Sequence, residues 1–298
     1  MANFQPNKYY KDLTIAFSGQ NIKHYLILAI ESFLYFYPNL KDNIIVFDDN
    51  STDGTREWLE EKSIKTITWS NYTKHYFEGS KKIAKKNNKD NSATKISLIF
   101  KEIMYQTKTK YLLLCDGDVI FINNGFVEYF YNIVKDYNII VPIKQYKLKS
   151  KKSIDIYSKY PTQLQINKDG QFYIKGAWSY FSFYNINFLK KYNLLYDNFS
   201  INKFNNFYNR DQGIEFLTEL TIKNISYYEL NKKIINQYIL HFAFTVFFNN
   251  PIHRKSMPYS EYINESRGKI EFINKILNYK HIKNIFEKYN LRMNYFIH

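Results

Sequence analysis

The sequence predicts an α/β fold, with a mostly parallel sheet flanked by helices and a helical appendage at the C-terminus. Three observations support this fold class. Short apolar runs alternate with amphipathic stretches in the first half, two of the apolar runs end in paired carboxylates, and the residues after Pro258 follow a helical pattern. At 298 residues, the chain is long enough for one large domain with an extension. We place the main domain at residues 1–255 and the helical extension at 256–298.

The N-terminal part alternates strictly between strands and helices. Buried strands are predicted at 13–17, 43–47 and 65–69, with helices at 24–37 and 55–61 between them. Apolar residues at helical spacing define the first helix, and Pro38 ends it. A β-α-β-α-β order requires parallel strands joined by right-handed crossovers, so we expect a parallel sheet.

The segment 110–122, KYLLLCDGDVIFI, is the main functional candidate. Its apolar run 111–115 is typical of a strand covered on both faces, and Asp116-Gly117-Asp118 follows at the carboxyl end. Two carboxylates beside a core are costly unless a cation compensates their charge. Mg²⁺ and Mn²⁺ commonly bind one or two carboxylates together with substrate phosphates. The alternative is a plain surface turn, because Asp-Gly is also a strong turn signal.

A second pair of carboxylates, Asp48 and Asp49, follows the predicted strand 43–47. In open parallel sheets, ligands bind outside the carboxyl ends of the strands. We therefore expect residues 48–49 and 116–118 to face one crevice.

The rest of the chain mixes element types. A polar, lysine-rich loop is predicted at 71–93, followed by helices at 94–107 and 125–135 and a strand at 138–143. Hairpin and loop material follows at 144–169, then a helix at 214–220. An apolar segment at 234–248 carries His241 in its middle. A histidine in such a segment is either a ligand or a hydrogen-bonded core residue.

Composition limits the classes of protein and partner. The net charge of +15 is compatible with nucleotides, an anionic membrane surface or nucleic acid. The basic residues are mostly scattered and form no zinc-finger or RNP-like motif, so we expect no nucleic-acid partner. Cys115 is the only cysteine, which excludes an intramolecular disulfide, and the N-terminus lacks an apolar signal region. We expect a cytoplasmic protein, with peripheral membrane contact through its basic C-terminal helices as an open alternative.

Two motifs together resemble the family-2 glycosyltransferases of the GT-A fold. Residues 45–55, IVFDDNSTDGT, resemble their nucleotide-binding segment, and Asp116-Gly117-Asp118 resembles their DxD motif. The resemblance covers about residues 12–220 and implies a Rossmann-like GT-A catalytic domain. It also implies a nucleotide-sugar donor, commonly a UDP-sugar, a Mn²⁺ or Mg²⁺ cofactor, and a glycan or glycoconjugate as acceptor.

The resemblance assigns donor-binding roles at the strand ends. Phe17 and Ser18 at the end of the first strand are counted among the donor-binding residues. One carboxylate of Asp48 or Asp49 would hydrogen-bond the base. Asp116 and Gly117 would face the ribose or the donor sugar.

The resemblance also implies a metal site and a catalytic base. Asp118 would bind the metal on the diphosphate, with His241 as an additional ligand. In inverting members, an acidic residue at the start of a later helix deprotonates the acceptor hydroxyl, and Asp211 is the matching position. The alternative for Asp211 is helix N-capping, which favours Asp.

The sequence departs from the family pattern in three places, one of which is the region 70–95, where the usual Gly- and Asn-rich pattern is missing. Residues 18–21, SGQN, stand where Pro-Thr-Tyr-Asn-like residues are usual, and Arg210 precedes Asp211 where Glu is usual. A nucleotidyltransferase is an alternative function, but its usual glycine-rich loop after the first strand is not found. A non-catalytic basic protein that binds nucleic acid or a membrane surface is the other alternative.

Overall fold

The computed structural model describes residues 8–70, 92–147, 158, 164–177, 181–194, 212–242 and 259–297. Within these ranges, the chain forms a nine-stranded sheet and a separate two-stranded sheet, with helices on both faces of the larger one. The predicted α/β fold class is therefore confirmed. Most of the loop predicted at 71–93 lies outside the described residues.

The first half of the large sheet is parallel, as predicted. Its strands lie in the spatial order β3-β2-β1-β4. They are β1 (Leu13–Gly19), β2 (Ile44–Asp48), β3 (Lys65–Ile67) and β4 (Tyr111–Asp116). The connecting helices are α1 (Lys23–Phe36), α2 (Thr55–Glu61) and α3 (Ser92–Gln106). The strand order turns back at β1, because β2 and β4 lie on opposite sides of it, and ligands bind at such switch points.

The second half of the sheet is mostly antiparallel. It continues from β4 in the order β9-β6-β8-β7, and β10 lies parallel beside β6. The remaining strands are β5 (Val119–Phe121), β6 (Ile139–Lys147), β7 (Leu164–Ile166), β8 (Phe172–Ala177), β9 (Phe181–Asn185), β10 (Tyr228–Leu230) and β11 (Ile239–His241). β5 and β11 leave the large sheet and form the separate antiparallel pair.

Alternating side chains along the strands build two cores. On β1, Ile15 and Phe17 enter one core with α1, whereas Ala16 enters the other with α3. Side chains such as Phe33 and Phe100 are almost completely buried, and each such burial contributes roughly 1.5–3 kcal/mol. The carboxyl ends of β1, β2 and β4 are thereby held rigidly at one edge.

The later helices complete both faces. They are α4 (Phe126–Ile133), α5 (Ile186–Lys191), α6 (Gln212–Ile222), α7 (Lys232–Tyr238), α8 (Tyr259–Ile276), α9 (Lys280–Lys288) and α10 (Asn294–Ile297). Among the helices of the described residues, none is long and apolar enough to cross a bilayer.

The C-terminal helices pack onto the same core as α1. Ile273, Ile282 and Phe296 are fully buried there, and Tyr25 on α1 donates a hydrogen bond from its hydroxyl to the Phe296 carbonyl at 2.8 Å. The predicted helical character of the C-terminus is therefore confirmed. The proposed domain boundary between residues 255 and 256 stays a prediction.

Candidate metal and nucleotide site

Three polar side chains meet just beyond the carboxyl end of β4. β4 ends at Asp116, and β5 begins at Val119, so Gly117 and Asp118 form the turn between them. β11 pairs antiparallel with β5 and places His241 opposite Val119. The Nε2 atom of His241 lies 3.1 Å from Oδ1 of Asp118 and 3.6 Å from Oδ2 of Asp116.

This cluster has the donor set of a divalent-cation site. One ligand atom from each of Asp116, Asp118 and His241 lies within 4.8 Å of the others. Two carboxylates and an imidazole suit Mn²⁺, which accepts both oxygen and nitrogen ligands. The side chain of Asp118 is only 5% exposed and that of Asp116 is 35% exposed, so a cation would compensate poorly solvated negative charge. The residues present therefore fit a bound Mn²⁺ ion.

The protonation of the cluster shows how strongly its charges interact. Burial lowers the pKa of His241, but the charge of Asp118 and the hydrogen bonds to both carboxylates outweigh it and raise the pKa to about 10. The pKa of Asp116 is raised overall. Desolvation by burial is the largest cause, and the charge of Asp118 adds to it, whereas the hydrogen bond with His241 opposes both. Without a metal, His241 is therefore protonated at neutral pH and supplies positive charge to the carboxylates.

Gly117 permits the tight turn that carries the two carboxylates. Its N–H donates to the carbonyl of Ser18 at 3.0 Å. A Cβ atom at this position would lie 2.4 Å from Cδ1 of Ile22 and 2.8 Å from the Ser18 carbonyl oxygen. Only glycine allows the turn to approach the end of β1 this closely.

The carboxylates after β2 are engaged by donors from the chain itself. Asp48 is buried and accepts hydrogen bonds from Nε of Arg56 at 2.5 Å and from the N–H of Ser51 at 3.2 Å. Asp49 is also buried and accepts a hydrogen bond from Nε1 of Trp69 at 2.6 Å. Both carboxylates reach the predicted edge of the sheet, but their role in base binding stays a prediction.

Further hydrogen bonds tie the loop after β2 to the start of α1. The side-chain oxygen of Asn21 accepts from the N–H of Thr52 at 2.7 Å, and Asp53 accepts from the N–H of Lys23 at 2.9 Å. Asp53 also accepts from the N–H of Thr55 at 3.1 Å, which stabilises the start of α2. The loop after β2 is therefore fixed relative to β1.

The structure brings together most of the predicted site residues. In the parallel sheet, Ser18 pairs with Asp116, and Gly19 pairs with Asp48. Phe17 is the exception, because its side chain is fully buried in the core, edge-on to Phe121. Any donor contact by Phe17 is therefore limited to its backbone. The predicted base Asp211 lies outside the described residues.

Three features of this site do not follow from the sequence. The carboxylate of Asp116 lies beside Asp118 and His241, and its implied contact with the ribose or the donor sugar stays a prediction. Arg56 was not identified as the partner of Asp48, although an arginine in the first turn after an acidic loop is a usable signal. Trp69 was not identified as the partner of Asp49, and its position just after β3, at the same sheet edge, was the available signal.

The structure is similar to several solved glycosyltransferases. Core-mannan synthase A from Aspergillus fumigatus, in its Mn/GDP form, is 11% identical, with 70% of this chain and 69% of that chain covered at a TM-score of 0.45. TarS 1–349 from S. aureus is 12% identical, with 92% and 74% covered at 0.45. Mannosyltransferase PcManGT from Pyrobaculum calidifontis, in complex with GDP-Man and Mn²⁺, is 7% identical, with 74% and 55% covered at 0.43. Likeness at this level says nothing about the donor or the acceptor of this chain.

The sequence itself matches a family model. No curated protein matches the chain. The model named "Glycosyl transferase family 2" matches residues 19–194, a range that includes Asp48, Asp49, Asp116 and Asp118 but ends before His241. Since this range makes up more than half of the chain, the chain belongs to glycosyl transferase family 2 and is a glycosyltransferase of the GT-A fold.

Proposed function

We propose that the protein transfers a sugar from a nucleoside diphosphate sugar to a hydroxyl group of a glycan or glycoconjugate. The proposed donor is a UDP-sugar, and the proposed reaction depends on Mn²⁺. The observation that carries the proposal is the convergence of Asp116, Asp118 and His241 at the carboxyl edge of a parallel sheet. The acidic loop after β2 borders the same edge across β1. This is the position where open α/β sheets bind nucleotides.

The residues at this edge have separate tasks. Asp116, Asp118 and His241 would hold the cation, and the Gly117 turn fixes the spacing of the two carboxylates. When bound, a divalent cation stabilises the negative charge that develops on a diphosphate leaving group. The rigid loop at 48–56 orients the nucleoside relative to the diphosphate, which lowers the entropic part of the barrier.

The acceptor hydroxyl must lose its proton as it attacks the donor. We propose Asp211 as the base, with inversion of configuration at the sugar. Asp211→Asn is then expected to retain donor binding and to lose transfer by about a hundredfold or more. Binding of UDP-sugar by calorimetry and transfer by product analysis separate the two effects. Full transfer in Asp211→Asn would exclude Asp211 as the base.

The most informative test is a donor screen with and without Mn²⁺. Hydrolysis and transfer are measured for UDP-sugars and GDP-sugars with the wild-type protein and with Asp118→Asn. Turnover of one donor class only in the presence of Mn²⁺, and its loss in Asp118→Asn, is the expected result. The exposed Asp136 provides a matched control, since it precedes β6 at the amino-terminal edge of the sheet, opposite the cluster. Equal turnover in Asp118→Asn and Asp136→Asn contradicts the proposal.

Location and membrane contact stay predictions. A cytoplasmic protein with peripheral contact through its C-terminal helices would sediment with vesicles that contain anionic lipid and would be released by salt. Failure to sediment with such vesicles at low salt would exclude the membrane contact and leave the proposed reaction untouched.

A further inference from the structure

A lysine is buried behind the metal cluster. Lys269 on α8 is only 1% exposed, although a lysine ammonium is among the most costly groups to bury. Its Nζ atom lies 3.4 Å from the hydroxyl oxygen of Tyr25 on α1. The Tyr25 hydroxyl donates to the Phe296 carbonyl at 2.8 Å, so its oxygen is available to accept from the lysine.

The contacts of Tyr25 connect this lysine to the cluster through packed side chains. The ring of Tyr25 packs edge-on against Phe242, with centroids 4.9 Å apart. Phe242 directly follows His241, and its N–H donates to the carbonyl of Asp118 at 3.2 Å. Phe242 also packs against Phe272, three residues after Lys269 on the same face of α8. Helix α8 therefore contacts the segment that carries His241, one of the proposed metal ligands.

The charge of Asp118 acts on the hydroxyl group that Lys269 contacts. Burial, and then the negative charge of Asp118, raise the pKa of Tyr25. Tyr25, Lys269 and Asp118 are all buried, so the three groups lie in one weakly solvated layer. A charge in this weakly solvated layer is poorly screened by salt.

We propose that Lys269 is a positioning residue of the metal and diphosphate site, acting through Tyr25 as a fixed positive charge behind Asp118. This inference rests on the proposed function, because it assumes that a cation and a diphosphate bind at the cluster. A fixed positive charge opposes a divalent cation and attracts a diphosphate. Lys269 therefore lowers the affinity of the empty site for metal and raises the affinity of the metal-loaded site for the nucleotide.

This pair of opposite effects separates an electrostatic role from a structural one. Damage to the packing around Tyr25 and Phe242 would weaken the binding of metal and nucleotide alike. Loss of the charge alone would strengthen the binding of metal and weaken that of the nucleotide.

The test uses the whole 298-residue chain with Lys269→Met, which removes the charge and keeps a long apolar side chain. The dissociation constant for Mn²⁺ alone is measured by electron paramagnetic resonance, and those for UDP and GDP are measured by calorimetry at saturating Mn²⁺. We expect Mn²⁺ binding to tighten by about threefold or more, and binding of the preferred nucleotide to weaken by a similar factor. Lys275→Met, on the exposed side of the same helix, is expected to change neither constant by more than about twofold.

Two further variants complete the design. Lys269→Arg keeps the charge and is expected to restore both constants towards the wild-type values. Lys269→Gln removes the charge but can still donate to Tyr25, so it provides the same test if Lys269→Met does not fold. Thermal unfolding of each variant shows which of them are folded.

Every outcome supports or overturns the inference. Tighter Mn²⁺ binding together with weaker nucleotide binding, reversed by Lys269→Arg, supports it. Weakening of both, or a change in neither, overturns it and assigns Lys269 to packing or to no role at this site. If the wild-type protein binds no Mn²⁺, the proposed function itself fails, which the wild-type measurement shows before any variant is compared.

Discussion

Two acidic strand ends lie on either side of β1, and their carboxylates have different partners. At the end of β2, Asp48 accepts hydrogen bonds from the guanidinium of Arg56 and from a backbone N–H. At the end of β4, Asp116 and Asp118 lie close together and share the imidazole of His241. At the first strand end, Asp48 is paired with an arginine in the first turn of α2, and Asp49 accepts a hydrogen bond from Trp69. At the second, two carboxylates share one titratable partner.

This difference shows that a carboxylate at a strand end has two possible uses. Where the next turn of chain provides an arginine, the carboxylate fixes a loop. Where two carboxylates share only an imidazole, which can itself bind a metal, the arrangement fits a cation. Substitutions at the two ends are therefore expected to separate protein stability from metal affinity.

The largest effect is expected at Asp118. Asp118→Asn removes a metal ligand, so metal-dependent transfer falls by about a hundredfold or more. Stability without metal falls only modestly, because Asp118→Asn removes the repulsion with Asp116 but also the ion pair with protonated His241. Initial rates, and thermal unfolding in the presence of a chelator, measure the two effects. If Asp118→Asn is strongly destabilised but its folded fraction keeps full specific activity, Asp118 has a structural role and is not a metal ligand.

The next largest effect is expected at His241. His241→Ala leaves both carboxylates in place, so Mn²⁺ binds more weakly by about tenfold or more, and excess Mn²⁺ restores part of the activity. Activity is measured as a function of Mn²⁺ concentration. An unchanged concentration for half-maximal activity would show that His241 is a core residue and not a ligand.

Metal binding is expected to stabilise the wild-type protein and not Asp118→Asn. At a Mn²⁺ concentration of about one hundred times the dissociation constant, mass action adds about 2.7 kcal/mol to the free energy of unfolding. Thermal unfolding with and without Mn²⁺ measures this gain. An equal gain in both proteins would place the ion at another site.

The smallest effect on metal binding is expected at the end of β2. Asp48→Asn leaves Arg56 without its carboxylate partner and destabilises the fold by about 1–3 kcal/mol, a range that allows for the 40% exposure of the arginine side chain. Mn²⁺ affinity without nucleotide should change by no more than about twofold, because Asp48 does not contact the cluster. Chemical denaturation and Mn²⁺ titration of the same sample test both statements. A large loss of Mn²⁺ affinity in a folded Asp48→Asn variant would show that Asp48 belongs to the metal site.

Much of the parallel half could be predicted because its signals are local. The apolar runs before Asp48 and Asp116 mark buried strands, and helical spacing marks α1 and α2, so element order alone dictates parallel pairing. The convergence of both acidic ends at one edge followed from that topology.

The side chain that contacts the carboxylates after β4 could not be predicted from local sequence patterns, because it comes from a distant segment. His241 reaches Asp118 because β5 leaves the main sheet and pairs with β11, a contact between segments about 120 residues apart. No local pattern specifies such a pairing. Lys269 is a stronger example, since a lysine in a basic amphipathic helix is normally exposed, whereas this one is buried and contacts Tyr25.

The proposed function depends most directly on a cation bound between the ends of β4 and β11. Crystals soaked with Mn²⁺ and UDP, measured at the manganese absorption edge, show where the ion binds. We predict an anomalous peak coordinated by Asp116, Asp118 and His241, with the diphosphate of UDP on its open side. A map with UDP bound at the end of β4 but no manganese beside Asp118 would contradict the account.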